Sequence, residues 1–446
     1  MAVSSVPKQT TGQLSFQTIF RTWWPLAFSW LLMSVEIPVI NAVIARLAEP
    51  KVNLAAYGII YNVSLIIEAP VVMLLGASVA LSRSRQAYQL IWRYMMISGF
   101  ILTLVHGLVA FTPLFHLVVR DIIGAPEEIL EPARLGLMIM LPWTWAIGYR
   151  RFQQGVMIRN GYSGAVGAGT IIRLIADALV LGACLVIGGI PGAAVGATAQ
   201  AVGVVVEALY AGWRVRPVLR AHLQEGQGDD LLTWGAFGRF YIPLALTSLI
   251  SLMWSSIGSA ALSRMPNALD SLAVWTVLSG MLFVLRSFGI AYNEVVVALL
   301  DRQGSWPSLR AFGLWMAAAT GLLHLLLAGT PLLTFIYVNL SAVPLDLLGL
   351  AVTGFWMALP IGPLSVFQNW FQGSILYGRN TRAVPESVTM FFVVVLSILG
   401  VGVLAQRWTG LYVGVLAFVL ANTTQMIWLG LRSRSVMQKL AARDRT

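Results

Sequence analysis

Apolar stretches long enough to cross about 30 Å of hydrocarbon recur twelve times along the chain, parted by short polar segments. They fall at 20–45, 54–81, 94–116, 130–157, 164–188, 192–213, 238–263, 271–299, 308–328, 346–375, 383–404 and 409–431. Backbone polar groups find no water inside lipid, so each stretch is expected to be a helix rather than irregular chain. The longest polar interruption, residues 216–230, falls between the sixth and seventh stretches.

A second pattern is superimposed on the first. Residues 218 positions apart keep matching in the same order. Arg21, Pro25, Leu26 and Ala27 recur as Arg239, Pro243, Leu244 and Ala245; Gln154 and Gly155 recur as Gln372 and Gly373. Gly192, Val195 and Gly196 return as Gly410, Val413 and Gly414. One unit has therefore been duplicated. Six spans bring a chain back to the side it started from, so both copies enter the membrane in the same sense, related by a pseudo-twofold axis along its normal. The expected division is a six-helix lobe at 1–218, a cytoplasmic linker at 219–236 and a six-helix lobe at 237–446. The expected fold class is all-α integral membrane, with twelve transmembrane helices in two pseudo-symmetric six-helix bundles.

Composition agrees with a lipid environment. The chain is 58% hydrophobic and 11% charged, against about 25% charged in soluble domains. A net charge of +11 would suggest nucleic acid for a soluble protein. Here the basic residues sit in short loops, about 19 on one alternating set and about 6 on the other. That bias places both termini in the cytoplasm and the chain in a cell inner or plasma membrane, with lipid as partner and no nucleic acid. The N-terminal segment lacks the pattern of a cleaved signal peptide. The single Cys184 gives no disulfide, and four histidines and one cysteine offer no clustered metal site. No Gly-rich Lys loop, His-Glu-x-x-His or Gly-x-Ser-x-Gly motif occurs, so an enzyme is not expected, nor a cofactor. With no ATPase domain, energy must come from a gradient or a partner.

Ionisable residues within the spans are costly and become functional candidates. Glu36, Glu68, Arg150, Arg151, Arg173, Asp177, Glu207, Arg286 and Glu294 all lie there, with His106 and His324. The repeat sorts them. Glu68 corresponds to Arg286, so the two copies carry opposite charges at matching places; if those spans face each other, the charges form a pair closing one side of a cavity. Glu36 corresponds to Trp254 and Glu294 to Gly76, so each of these carboxylates is asymmetric. Glu36, Asn41, Glu68, Arg286, Asn293 and Glu294 are the candidates for a substrate or coupling-ion cavity. Arg173 and Asp177, spaced i, i+4, are read as a self-neutralising pair. Arg150 and Arg151 either snorkel to headgroups or meet an anionic substrate. His106 and His324, at equivalent positions, are read as interhelical hydrogen-bonding groups before proton switches.

Three stretches carry a family resemblance: Leu54-Ala55-Ala56-Tyr57-Gly58-Ile59-Ile60-Tyr61 with Pro70, Val105-His106-Gly107-Leu108-Val109-Ala110, and Trp23-Trp24-Pro25-Leu26-Ala27. Together they resemble the progressive ankylosis protein family. More broadly, the two six-helix halves and the Gln154, Gly155, Gly161 pattern resemble the multidrug/oligosaccharidyl-lipid/polysaccharide exporter (MOP) superfamily. That resemblance implies a MATE-like pair of bundles with a central cavity lined by spans 1, 2, 7 and 8, worked by rocking of the lobes. Ankylosis-like members are associated with export of anions such as pyrophosphate, citrate and ATP; other branches move drugs or lipid-linked sugars. The chain departs from the drug-exporter branch in lacking a clear match to its full set of cation-site carboxylates. The expected function is a monomeric secondary active transporter that exports a small anionic or amphipathic solute, with proton or sodium as coupling ion. A lipid or lipid-linked saccharide flippase and a cationic drug exporter are the alternatives.

Overall fold

The computed structural model describes residues 14–123, 125, 127–222, 232–341 and 343–444. The first half contains α1 (Phe16–Ile44), α2 (Pro50–Val72), α3 (Leu74–Leu81), α4 (Arg85–Phe111), α5 (Glu127–Ile139), α6 (Leu141–Arg159), α7 (Ser163–Ile187) and α8 (Gly192–His222). The second contains α9 (Trp234–Leu262), α10 (Ala268–Leu299), α11 (Ser305–Gly329), α12 (Pro331–Phe335), α13 (Leu348–Met357), α14 (Ile361–Tyr377), α15 (Ala383–Ala405) and α16 (Gly410–Arg443). Shifting the ends of α1 by 218 gives the ends of α9, and the same shift carries the start of α2 and the end of α3 onto the ends of α10.

Ten helical stretches among the described residues are long and apolar enough to cross a membrane. The protein is thus an integral membrane protein built from helices. The other two expected spans are α9 and the α5–α6 pair, which is interrupted at Met140 and carries Arg150, Arg151 and Arg159. Pro142 causes the interruption. It has no N–H to offer the carbonyl four residues earlier, and its ring crowds the preceding turn. His106 of α4 satisfies the loosened turn, with Nε2 3.0 Å from the Leu137 carbonyl. Pro360 breaks the matching span, and His324 Nε2 lies 2.9 Å from the Phe355 carbonyl. Each of these partners is 218 residues from its counterpart. The two histidines thus serve as interhelical hydrogen-bonding groups.

Other bonds repeat in the same way. Trp23 Nε1 donates to the Phe288 carbonyl at 3.0 Å, and Tyr241 Oη donates to the Pro70 carbonyl at 2.6 Å. Asn53 Oδ1 accepts from the Ala193 amide at 2.9 Å, where Ser271 Oγ accepts from the Leu411 amide at 3.0 Å. Small residues fix the close helix approaches that lipid does not drive. A Cβ on Gly155 would lie 2.5 Å from the Leu75 carbonyl oxygen, so α6 meets α3 backbone to backbone.

Two compact units emerge from the packing. One is Leu31–Leu249; the other joins the described residues up to Trp30 to those from Ile250 onward. Both cuts fall inside helices, α1 and α9, and not in the 219–236 segment, of which residues 223–231 lie outside the described residues. The unit Leu31–Leu249 is called the first below, the other the second.

Candidate functional site

The first unit buries a network of charge. Arg173 of α7 reaches back to α1, where its Nη2 donates to Glu36 Oε2. Its Nη1 lies 3.6 Å from Glu207 Oε2 on α8. Arg150 of α6 donates to the same Glu207 oxygen. Amides complete the shell. Gln154 Nε2 donates to Glu207 Oε1 at 2.9 Å, Gln200 Nε2 to Glu36 Oε1 at 3.1 Å, and Tyr57 Oη to Gln200 Oε1 at 2.9 Å. Glu207 is 0% exposed, Arg150 1%, Arg173 2% and Glu36 4%, so water does not screen these pairs.

Two expectations are corrected here. Arg173 and Asp177 do share a helical face, but Arg173 does not pair with Asp177. Glu36 and Glu207 approach from α1 and α8 and take the guanidinium between them, while neither Asp177 oxygen accepts a hydrogen bond. The Asp177 carboxyl instead lies against the backbone of α8, where a Cβ on Gly203 would come 1.8 Å from its Oδ1. Arg150 does not snorkel: a full ion pair to Glu207 holds it inside the bundle.

Glu68 of α2 is 1% exposed, and its Oε2 has no hydrogen-bond partner. The opposite charges acting on it come from Arg151 and Arg150. Asn41, near the end of α1, is half-buried. His106 also holds Thr144, with Nδ1 2.7 Å from Oγ1.

In the second unit the same positions hold something else. Residues 218 beyond Glu36, Tyr57, Arg173 and Gln200 are Trp254, Trp275, Phe391 and Phe418. They form an aromatic cluster with ring centroids 5.5 Å apart for Trp254–Phe391 and Trp254–Phe418, and 6.2 Å for Trp275–Phe418. Val395 stands where Asp177 does, fully buried. Positions 218 residues apart thus hold ions in the first unit and rings in the second.

Arg286 of α10 lies beside this cluster. Its guanidinium carbon is 5.3 Å from the centre of the Phe418 ring, and its Nε makes no hydrogen bond. No described carboxylate of the second unit pairs with it. Asn293, two turns on, is 5% exposed and donates to the Asn369 carbonyl at 3.3 Å, tying α10 to α14. Glu294 is buried in the same helix. Among the described residues no group of acidic, histidine or cysteine side chains is arranged to hold a metal ion.

Glu36, Arg173, Asp177 and Arg150 all stand out in the sequence, but the structure pairs them differently. Glu207 stands among the span charges without a place in the site, Trp254 only as the counterpart of Glu36, and no motif in the sequence assigns Gln200, Trp275, Phe391 or Phe418 to it. Its position inside a span is the available signal for Glu207, since a carboxylate within the membrane calls for a cationic partner. The 218-residue shift was the signal for the aromatic set.

The family described as Progressive ankylosis protein (ANKH) matches residues 5–216, just under half of the chain. No curated protein matches. Among solved structures, the chain is similar to a multidrug resistance MATE family transporter of the MOP superfamily in its outward-facing conformation. That likeness has TM-score 0.76 and 16% identity, over 95% of this chain and 96% of the other. It is similar to a MOP superfamily transporter from Pyrococcus furiosus, described by the reversed polarity of its binding pocket, at TM-score 0.78 and 14% identity over 98% and 100%. A Vibrio cholerae MATE transporter, VcmN, matches at TM-score 0.72 and 18% identity over 94% and 97%. The all-helical MATE fold is thereby shown, and the family match over residues 5–216 agrees with the resemblance read from the sequence.

Proposed function

We propose that the protein is a secondary active transporter that exports a small anionic or amphipathic solute by alternating access, with Arg286 as the anion contact. The observation that carries this reading is the guanidinium of Arg286, held within a membrane-spanning helix on an aromatic ring, with no described carboxylate of its own unit paired with it. An uncompensated cation in such surroundings is costly, and a bound anion relieves that cost directly. A cationic drug would meet like charge at this residue, which disfavours the cargo named for the multidrug relatives.

The first unit supports a proton, rather than sodium, as coupling ion. Four buried carboxyls (Glu36, Glu68, Asp177 and Glu207) face three arginines (Arg150, Arg151 and Arg173). Neutrality in a low-dielectric interior leaves one carboxyl to carry a proton. Asp177 is the candidate, because its oxygens accept no hydrogen bond and it lies close enough to Glu36 for the two carboxyls to interact. A metal cation would have to displace the two guanidinium groups already between the acids.

Proteoliposome uptake of small polyanions tests the reading. Arg286→Ala is expected to abolish uptake, and Arg286→Lys to retain part of it. Undiminished, still proton-coupled uptake by Arg286→Ala would remove the anion contact. Scrambling of a headgroup-labelled lipid without solute uptake would move the cargo to lipid.

A further inference from the structure

The last residue of α16, the residue that follows it and the corner between α10 and α11 form an unusual junction. At about 1.5 Å per residue, the 34 residues of α16 extend well past the ~30 Å of hydrocarbon, so its C-terminal end lies beyond the membrane core. There Arg443 donates from Nη1 to the Leu300 carbonyl at 2.8 Å and from Nη2 to the Arg302 carbonyl at 2.9 Å. Its Nη2 also reaches Ser305 Oγ at 3.3 Å, and its Nε donates to Asp444 Oδ1 at 2.7 Å. Asp444 Oδ2 accepts from the Trp306 amide at 2.8 Å, with its side chain 1% exposed.

Helix ends explain why these contacts matter. The last carbonyls of α10 and the first amides of α11 have no partners within their own helices. In the first half, the corresponding corner caps itself: Ser84 Oγ accepts from the Ala87 amide at 3.2 Å. In the second half, the residue capping α11 is Gly304, at φ +74°, with no side chain to offer. The cap therefore comes from about 140 residues away. An arginine covers the carbonyl end of α10, and an aspartate covers the amide end of α11, where each charge also suits the helix dipole.

We propose that Arg443 and Asp444 are positioning residues, a two-residue clamp by which the end of α16 sets the C-terminal end of α10, the helix that carries Arg286, Asn293 and Glu294. The functional half of this inference rests on the anion reading of Arg286; the structural half does not. Both halves are tested in full-length protein with Cys184→Ser as background. Nitroxides at Ala298→Cys on α10 and Leu416→Cys on α16 report the helix position. Adding Asp444→Ala or Arg443→Ala is expected to broaden that distance distribution and to speed amide exchange at Trp306 by about tenfold. The KM for polyanion uptake is expected to rise by about fivefold at similar kcat, with Asp444→Glu recovering part of it. Faster exchange at Trp306 with distance and KM both unchanged would overturn the proposal and leave only an end cap. If the unsubstituted protein takes up no anion, the transport reading fails, and the distance measurement alone decides the clamp.

Discussion

Replacing Glu207 by glutamine keeps the side-chain volume and removes one charge from the centre of the first unit. Glu207 accepts from Arg150, from Gln154 at 2.9 Å and from Thr170 at 3.5 Å, and it lies 3.6 Å from Arg173. Breaking one side of a buried ion pair costs about 3–5 kcal/mol, because the partner charge remains desolvated. Glutamine still offers one carbonyl oxygen and Glu36 still holds Arg173, so the lower end applies, about 3 kcal/mol. That is about 150-fold in the unfolding equilibrium, or about 6–12 °C for a unit of this size. The assay is the midpoint of heat-induced loss of the monodisperse peak for purified protein in detergent. The double variant Glu207→Gln with Arg150→Gln removes both charges and leaves two amides able to bond each other. It is expected to recover at least about 2 kcal/mol of the sum of the single effects. A drop under about 2 °C for Glu207→Gln, or additive losses in the double variant, would refute the buried network as described.

Gly155→Ala places a Cβ against backbone and is expected to cost about 1–3 kcal/mol, whereas Gly164→Ala, with open space around it, leaves the thermal midpoint unchanged. His106→Leu strands both the Leu137 carbonyl and Thr144, so it is expected to destabilise more than His324→Leu, which strands only the Phe355 carbonyl. Burial alone would raise the Asp444 carboxyl, but hydrogen bonds from Arg443 and the Trp306 and Gly304 amides hold it below its ordinary value of 3.8. A depressed carboxyl stabilises the fold above its unfolded value and loses that effect as pH falls through the folded one. The difference in midpoint between the unsubstituted protein and Asp444→Asn is therefore expected to stay constant from about pH 5 to 8 and to shrink below about pH 4.

Much of the fold was legible because lipid imposes one rule everywhere. A span must be apolar, about twenty residues long and helical, and hydropathy records each requirement. The boundaries of α7 and α15 agree with the expected spans to within a residue or so at each end. The site was less legible. A charge inside a span announces itself, but its partner lies on another helix at a distance along the chain that no local pattern encodes. Helical spacing nominated Asp177 for Arg173, being four residues away; the actual partner, Glu36, is 137 positions off. Local geometry proposes a neighbour, whereas packing decides which carboxylate arrives with the better approach.

By itself, then, the order of amino acids determined a helical membrane protein whose residues keep matching 218 positions apart, with ionic residues concentrated unequally between its halves. Only the tertiary structure decided that Glu36, Arg173, Glu207 and Arg150 form one chain of contacts, that four rings occupy the matching space in the second copy, and that Arg286 rests on one of them. The physical reason is the range of the forces involved. Transfer from water to lipid acts residue by residue and leaves its mark along the chain, while ion pairing and ring packing act over a few ångströms between segments that folding alone brings together.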